Sequence, residues 1–94
     1  MSEESFKVEK LNGENYHSWK FNLKMYLMGK DLWDIVQEVE VLTERSTPQQ
    51  RELFRKRDNR AMSIINLSIT NDLQIYVRSA KSATEAWNNL ADHF

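Results

Sequence analysis

The chain has 94 residues, of which 13 are Lys or Arg and 14 are Asp or Glu, so its formal net charge is −1 at neutral pH. This length allows one domain at most. The balanced charge gives no electrostatic argument for nucleic acid or an anionic membrane as a partner. The absence of Cys excludes disulfides and thiolate metal sites and favours a reducing compartment.

Turn-forming residues are scarce, with two Gly and one Pro in the whole chain. This composition favours an all-α fold over a sandwich or a barrel. No apolar run approaches the roughly 20 residues that span a bilayer, and the first residues lack the basic-then-apolar order of a signal peptide. We therefore expect a cytoplasmic protein that makes no membrane contact.

The amino-terminal part predicts a flexible tail over residues 1–5 and an extended arm over residues 6–14. In the arm, apolar and charged residues alternate, which places Phe6, Val8 and Leu11 inward. Asn12-Gly13 is a turn signal. Residues 15–94 then form a helical bundle, so residues 1–94 make a single helical domain.

The first helix is predicted from Asn15, as its cap, to about Gly29, where a left-handed residue can end it. One face is apolar at helical spacing and belongs to the core: Tyr16, Trp19, Leu23, Tyr26 and Leu27. Phe21, Met25 and Met28 recur on roughly the opposite face. A helix with two apolar faces is either central to a small core or offers one face to a subunit or an extended ligand.

Asp31 is predicted to cap a short second helix that carries Leu32, Trp33, Ile35 and Val36. Residues 37–46 show no periodicity and predict a connecting loop. Thr47-Pro48-Gln49-Gln50 is a capping box with Pro at the first helical position, and it opens a third helix that runs to about Leu67. The apolar positions predicted for this helix are Leu53, Phe54, Ala61, Ile64 and Ile65.

Two further helices complete a compact bundle of about five. Thr70 or Asn71 caps the fourth, with Leu73, Tyr76 and Val77 inward. A second capping box, Ser82-Ala83-Thr84-Glu85, opens the last helix. Its apolar residues are Ala86, Trp87, Leu90 and Phe94.

A basic run lies on the predicted third helix: Arg51, Arg55, Lys56, Arg57 and Arg60. It is either a solvated helix face or a contact for RNA, another polyanion or an acidic patch on a neighbouring subunit. Acidic residues dominate the first half of the chain, so a head-to-tail contact between the two halves is electrostatically plausible. Such a contact predicts association that depends on salt.

No constellation of residues predicts chemistry. His17 and His93 have no companions at metal-ligand spacing, and capping or solvation accounts for Asp31 and Asp34. No Ser lies in a nucleophile elbow. We therefore expect no catalytic, cofactor-binding or metal-binding residues, and a protein that is not an enzyme.

Three segments together resemble the start of Gag polyproteins of copia-type LTR retrotransposons. The opening reads Leu11-Asn12-Gly13-Glu14-Asn15-Tyr16 with Trp19, and Leu32-Trp33 with Val36 is similar to the family's "LWxxV" segment. Ala83-Thr84-Glu85-Ala86-Trp87 with Leu90 is similar to its "TAxEAWxxL" segment. The resemblance implies an all-helical capsid domain, here the N-terminal lobe, of a protein that self-associates into shells around RNA. Because no zinc knuckle is present, RNA binding is expected through a full-length Gag rather than through this domain alone.

Two hypotheses follow for function. In the first, the chain is a self-associating capsid lobe that forms virus-like assemblies. In the alternative, it is a domesticated Gag lobe that binds a partner peptide as an adaptor, in a groove beside the first helix. The candidate interface residues are Phe21, Met25, Met28, Arg51, Arg55, Lys56 and Arg60.

Overall fold

A computed structural model describes residues 8–94, and five helices follow one another in this range. They are α1 (Tyr16–Gly29), α2 (Trp33–Val36), α3 (Pro48–Leu67), a 3₁₀ helix (Asn71–Tyr76) and α4 (Ala83–His93). The predicted all-α fold is confirmed. Within residues 8–94 no helix is long and apolar enough to cross a membrane. The tail and Phe6 of the predicted arm lie outside the described residues.

The described part of the arm joins α1 to the end of α3. The amide of Leu11 donates to the carbonyl of Ser68 at 2.8 Å, and the amide of Thr70 donates to the carbonyl of Leu11 at 3.0 Å. These bonds make a single parallel bridge between Leu11 and Ile69, both of which are buried. Val8 is half-buried against the same core. The arm is therefore attached by one bridge.

Asn15 precedes α1, but the prediction that its side chain caps the helix is wrong. Its Oδ1 accepts from the amide of Asn12 at 3.0 Å, and its Nδ2 donates to the carbonyl of Lys10 at 3.0 Å. Gly13 lies inside this closed loop with a φ of 98°, a conformation that favours glycine. Asn15 therefore stabilises the turn before the helix.

The end of α1 differs from the prediction in which residue is left-handed. Gly29 is helical, and Asp31 has a φ of 63°. The amide of Asp31 donates to Met28 at 3.0 Å and that of Leu32 to Leu27 at 2.9 Å, which is a Schellman motif. Asp31 is therefore part of the stop signal of α1 and does not cap α2, which begins after Leu32 without a side-chain cap.

The short helix α2 ends in the same way, although no glycine is present. Glu38 has a φ of 62°, and the amide of Val39 donates to the carbonyl of Asp34 at 2.9 Å. Ile35 and Val36 are buried. Residues 37–46 then form the predicted connection to α3.

The capping box of α3 is confirmed. The amide of Gln50 donates to Thr47 Oγ1 at 3.1 Å, and the amide of Thr47 donates to Gln50 Oε1 at 2.8 Å. Ala61 and Ile65 are buried, but the inward placement of Leu53 is wrong because its side chain is 59% exposed. With 20 residues, α3 is about 30 Å long, and its amino-terminal turns extend past the core.

The segment after α3 is a 3₁₀ helix, with Leu73 and Val77 buried and Tyr76 half-buried. Thr70 precedes it, and its hydroxyl bonds to Asp72 Oδ1 instead of capping the helix. The sequence predicted a helix here but not its tighter winding.

The capping box of α4 is present only in half. Ser82 Oγ accepts from the amide of Glu85 at 3.1 Å, whereas Glu85 Oε1 accepts from the amide of Lys81 at 2.8 Å. Phe94, one of the apolar residues predicted for this helix, is 39% exposed and stacks on Tyr16 with ring centroids 5.3 Å apart. The helix is therefore fixed at both ends, by Ser82 at its start and by the Tyr16 ring after its last turn.

The three tryptophans join three helices at the centre of the fold. The ring of Trp87 in α4 stacks on Trp19 of α1 at 5.5 Å and meets Trp33 of α2 edge-on at 5.1 Å. Aromatic pairs of this kind add to the stabilisation from apolar burial. The Trp19 Nε1 also donates to the carbonyl and the hydroxyl of Ser68, which is fully buried.

Candidate interaction surface

The second apolar face of α1 lies on the surface. Trp19, Leu23 and Leu27 turn into the core. Phe21, Met25 and Met28, which we call the α1 ridge, are 62%, 47% and 48% exposed. These three side chains are therefore exposed and not part of the core. Their role in an interface remains a prediction.

One flank of the α1 ridge is basic. Lys20 and Lys24 are exposed, and their ammonium groups lie 5.7 Å from the Tyr16 ring centroid and 5.5 Å from the Trp33 ring centroid. These cation–π contacts hold the flexible side chains against the helix surface. Because α1 contains no acidic residue, its own length offers these lysines no carboxylate partner.

The carboxyl end of α1 has the opposite charge. Asp31 and Asp34 are exposed, and together with Met28 and Trp33 they line a recess of about 190 Å³. Within residues 8–94 neither carboxylate takes part in an ion pair. The ridge therefore has a basic flank along the helix and an acidic patch beyond its carboxyl end.

The predicted basic set on α3 does not form one surface. Arg55 pairs with Glu52 at 2.8 Å, and Lys56 lies 4.0 Å from the same carboxylate. The hydrogen bond and the charge of Arg55 hold the pKa of Glu52 below its usual value. Arg60 is nine residues beyond Arg51, which places it on the other side of the helix, about 180° away.

Two arginines of the basic run hold the loop before α3. Arg57 donates to both carboxylate oxygens of Glu40 and to the carbonyl of Asp31, while Arg51 Nη2 donates to the carbonyl of Thr43 at 2.8 Å. Arg57 was predicted on the outer surface, but it is half-buried. These guanidinium groups thus have a structural partner already.

A second surface was missed in the sequence, a groove of about 440 Å³ between the loop and α3. Its lining is mixed: Val41, Leu42 and Leu53 are exposed apolar residues, Phe54 is half-buried, and the others are polar or charged, namely Glu40, Thr43, Arg45, Ser46 and Gln50. We call it the loop groove. The sequence indicated this groove only weakly, because Val41 and Leu42 lie in a segment without periodicity and Leu53 was counted among the apolar positions of α3.

The described residues bring together no group of side chains for metal binding. Within residues 8–94 no three His, Cys, Asp or Glu side chains are placed to share a metal ion. His93 stacks on Tyr76 at 4.0 Å, and His17 contacts the Tyr16 ring edge-on at 5.8 Å. Both histidines therefore belong to aromatic contacts of the fold.

The prominent features of this small helical domain are exposed apolar and charged side chains. The family model for the gag-polypeptide of LTR copia-type matches residues 23–94. The chain therefore belongs to the copia-type Gag family, which supports a Gag-type structural role in general terms. The opening motif from Leu11 to Trp19 lies before the matched range. Neither a curated protein nor a solved structure matches the chain significantly.

Proposed function

We propose that the chain is the N-terminal capsid lobe of a copia-type Gag and that it self-associates into virus-like assemblies. The observation that carries this proposal is the exposure of the α1 ridge, three large apolar side chains on the face opposite the core. Apolar patches rimmed by charge are typical of protein–protein contacts. The partner is another copy of the chain, and RNA enters through the full-length Gag.

The loop groove provides a second contact surface on the same domain. A contact that joins the same patch on two copies closes at a dimer, whereas a lattice needs at least one further contact. The α1 ridge and the loop groove involve different elements, α1 on one side and the loop with α3 on the other. Two weak contacts per copy, summed over many copies, are sufficient for an ordered shell.

The experiment is sedimentation velocity of the full chain over a range of protein concentrations. Concentrations up to about 1 mM are needed, because a contact through three side chains is at the weak end of protein interfaces. The wild type is expected to grow beyond the monomer as concentration rises, and Met25→Glu to remain monomeric. Ser63→Glu is the matched control, since Ser63 is an exposed residue of α3. This variant should associate like the wild type.

A second candidate function rests on the loop groove. Its volume of about 440 Å³ and its exposed Val41, Leu42 and Leu53 suit the side chains of an extended peptide, as in a domesticated Gag lobe acting as an adaptor. A chain that remains monomeric at every concentration but binds a peptide, and loses that peptide in Leu53→Glu, would favour this function over the capsid role.

A further inference from the structure

The α1 ridge has the geometry of a surface that pairs with itself. Phe21 and Met28 are seven residues apart, about 10 Å along the helix, and Met25 lies between them. When two such helices pack antiparallel about a two-fold axis at Met25, Phe21 of one copy meets Met28 of the other. Met is flexible enough to fill the space between two helices that meet in this way.

The charges beside the ridge follow the same symmetry. Lys24 contacts the Trp33 ring, and Trp33 lines the recess that Asp31 and Asp34 also line. The lysines and the aspartates are therefore on the same flank of the ridge. In an antiparallel pair, the two-fold axis brings equivalent flanks side by side, so Lys20 of one copy, about 8 Å along the helix from the axis, lies beside Asp31 of the other, about 9 Å from it.

The parallel arrangement is disfavoured by the same charges. In a parallel two-fold pair equivalent flanks lie on opposite sides, so the lysines and aspartates of one copy would face the uncharged Ser18 and Asn22 flank of the other, and the charge pairing would be lost.

We infer that two copies of the chain form a two-fold dimer in which their α1 helices pack antiparallel through Phe21, Met25 and Met28, with Lys20 of each copy against Asp31 and Asp34 of the other. The inference rests on the proposed function and specifies one of its contacts. The occupant of the α1 ridge is thus a second copy rather than a foreign peptide, because one surface carries both halves of the complementary pattern.

Cysteine cross-linking tests the geometry, since the natural chain has no Cys. Met25→Cys lies on the proposed axis and is expected to form a disulfide-linked dimer faster than Ser63→Cys, an exposed control on α3. A mixture of Phe21→Cys and Met28→Cys chains is expected to link residue 21 to residue 28. Preferential links of 21 to 21 and of 28 to 28 would mean a parallel pair and would overturn the inference.

Charge reversal tests the pairing of lysine with aspartate between the two copies, without the need to introduce a cysteine. Lys20→Glu, and separately Asp31→Asn with Asp34→Lys, are each expected to weaken the dimer roughly tenfold. An equimolar mixture of the two variants is expected to recover association as a heterodimer. Circular dichroism of each variant confirms that it is folded, and two folded variants that do not recover association in the mixture would overturn the pairing.

Sedimentation of the wild type separates the two possible failures. If the wild type associates but Met25→Cys links no faster than the control, the dimer geometry is wrong and the proposed self-association stands. If the wild type is monomeric at about 1 mM, the proposed function itself fails and the dimer fails with it.

Discussion

Arg57 donates from Nη1 to both carboxylate oxygens of Glu40, at 2.8 and 2.6 Å, and this pair fixes the loop before α3. Its Nη2 also donates to the carbonyl of Asp31. One side chain therefore contacts both the residue that ends α1 and Glu40, which lines the loop groove. The side chains are 23% and 40% exposed, which leaves the pair partly screened by water.

We expect Arg57→Met to lower the free energy of unfolding by about 1–2 kcal/mol, because a half-buried carboxylate and a main-chain carbonyl lose their donor. Arg55→Met is the control on the same helix and should have a much smaller effect, since its pair with Glu52 is exposed to solvent. Urea unfolding measures both. Equal losses in the two variants would mean that Arg57 has no special structural role.

The bond from Trp19 to Ser68 predicts a difference between two conservative substitutions. Trp19→Phe removes the donor of a buried bond and some ring area, and should cost about 2–4 kcal/mol. Ser68→Ala keeps the carbonyl that accepts from Trp19 Nε1 at 2.9 Å and should cost about 0.5–1.5 kcal/mol. Thermal unfolding compares the two, and a larger loss for Ser68→Ala would contradict the arrangement.

The left-handed conformation of Glu38 predicts a stabilising substitution. Its φ of 62° is unfavourable for a residue with a Cβ atom, whereas glycine adopts it freely. Glu38→Gly should raise the free energy of unfolding by about 0.5–1 kcal/mol. Glu38→Ala removes the same carboxylate but keeps the Cβ atom, so it should give no such gain, and chemical denaturation of the two variants measures the difference.

The Glu52–Arg55 pair predicts a specific pH dependence. Arg55 lowers the pKa of Glu52, so the folded state binds this proton more weakly than the unfolded state does. The contribution of the pair is therefore present above the unfolded pKa of about 4.3 and is lost as the pH falls through the folded pKa. Carboxyl NMR titration should give a Glu52 pKa that returns toward its usual value in Arg55→Met.

Helix starts were predictable where the signal is local. Thr47, Pro48 and Gln50 lie within four residues and satisfy one another whatever the rest of the fold does. Helix ends were harder to predict from the sequence, because α1 ends where Leu32 can join Leu27 in the core. That contact requires a left-handed residue at Asp31, and the sequence pointed to the nearby glycine instead.

The site was predictable in composition but not in exposure. Periodicity placed Phe21, Met25 and Met28 on one face, yet only the packing of α2, α3 and α4 shows that no helix within residues 8–94 covers it. The exposure of Leu53 was missed for the same reason, since an apolar position on α3 does not show whether another element packs against it. The basic run likewise looked continuous, while the rotation of α3 gives Arg51, Arg55 and Arg57 different neighbours.

The most direct measurement is the change in amide NMR signals as a uniformly labelled sample is diluted from about 1 mM. Self-association through the α1 ridge predicts shifts concentrated between His17 and Asp34, on the exposed side of α1 and at the start of α2. The same shifts should be absent from a Met25→Glu sample. Signals that do not change on dilution, or changes confined to residues 41–54 around the loop groove, would contradict self-association through α1.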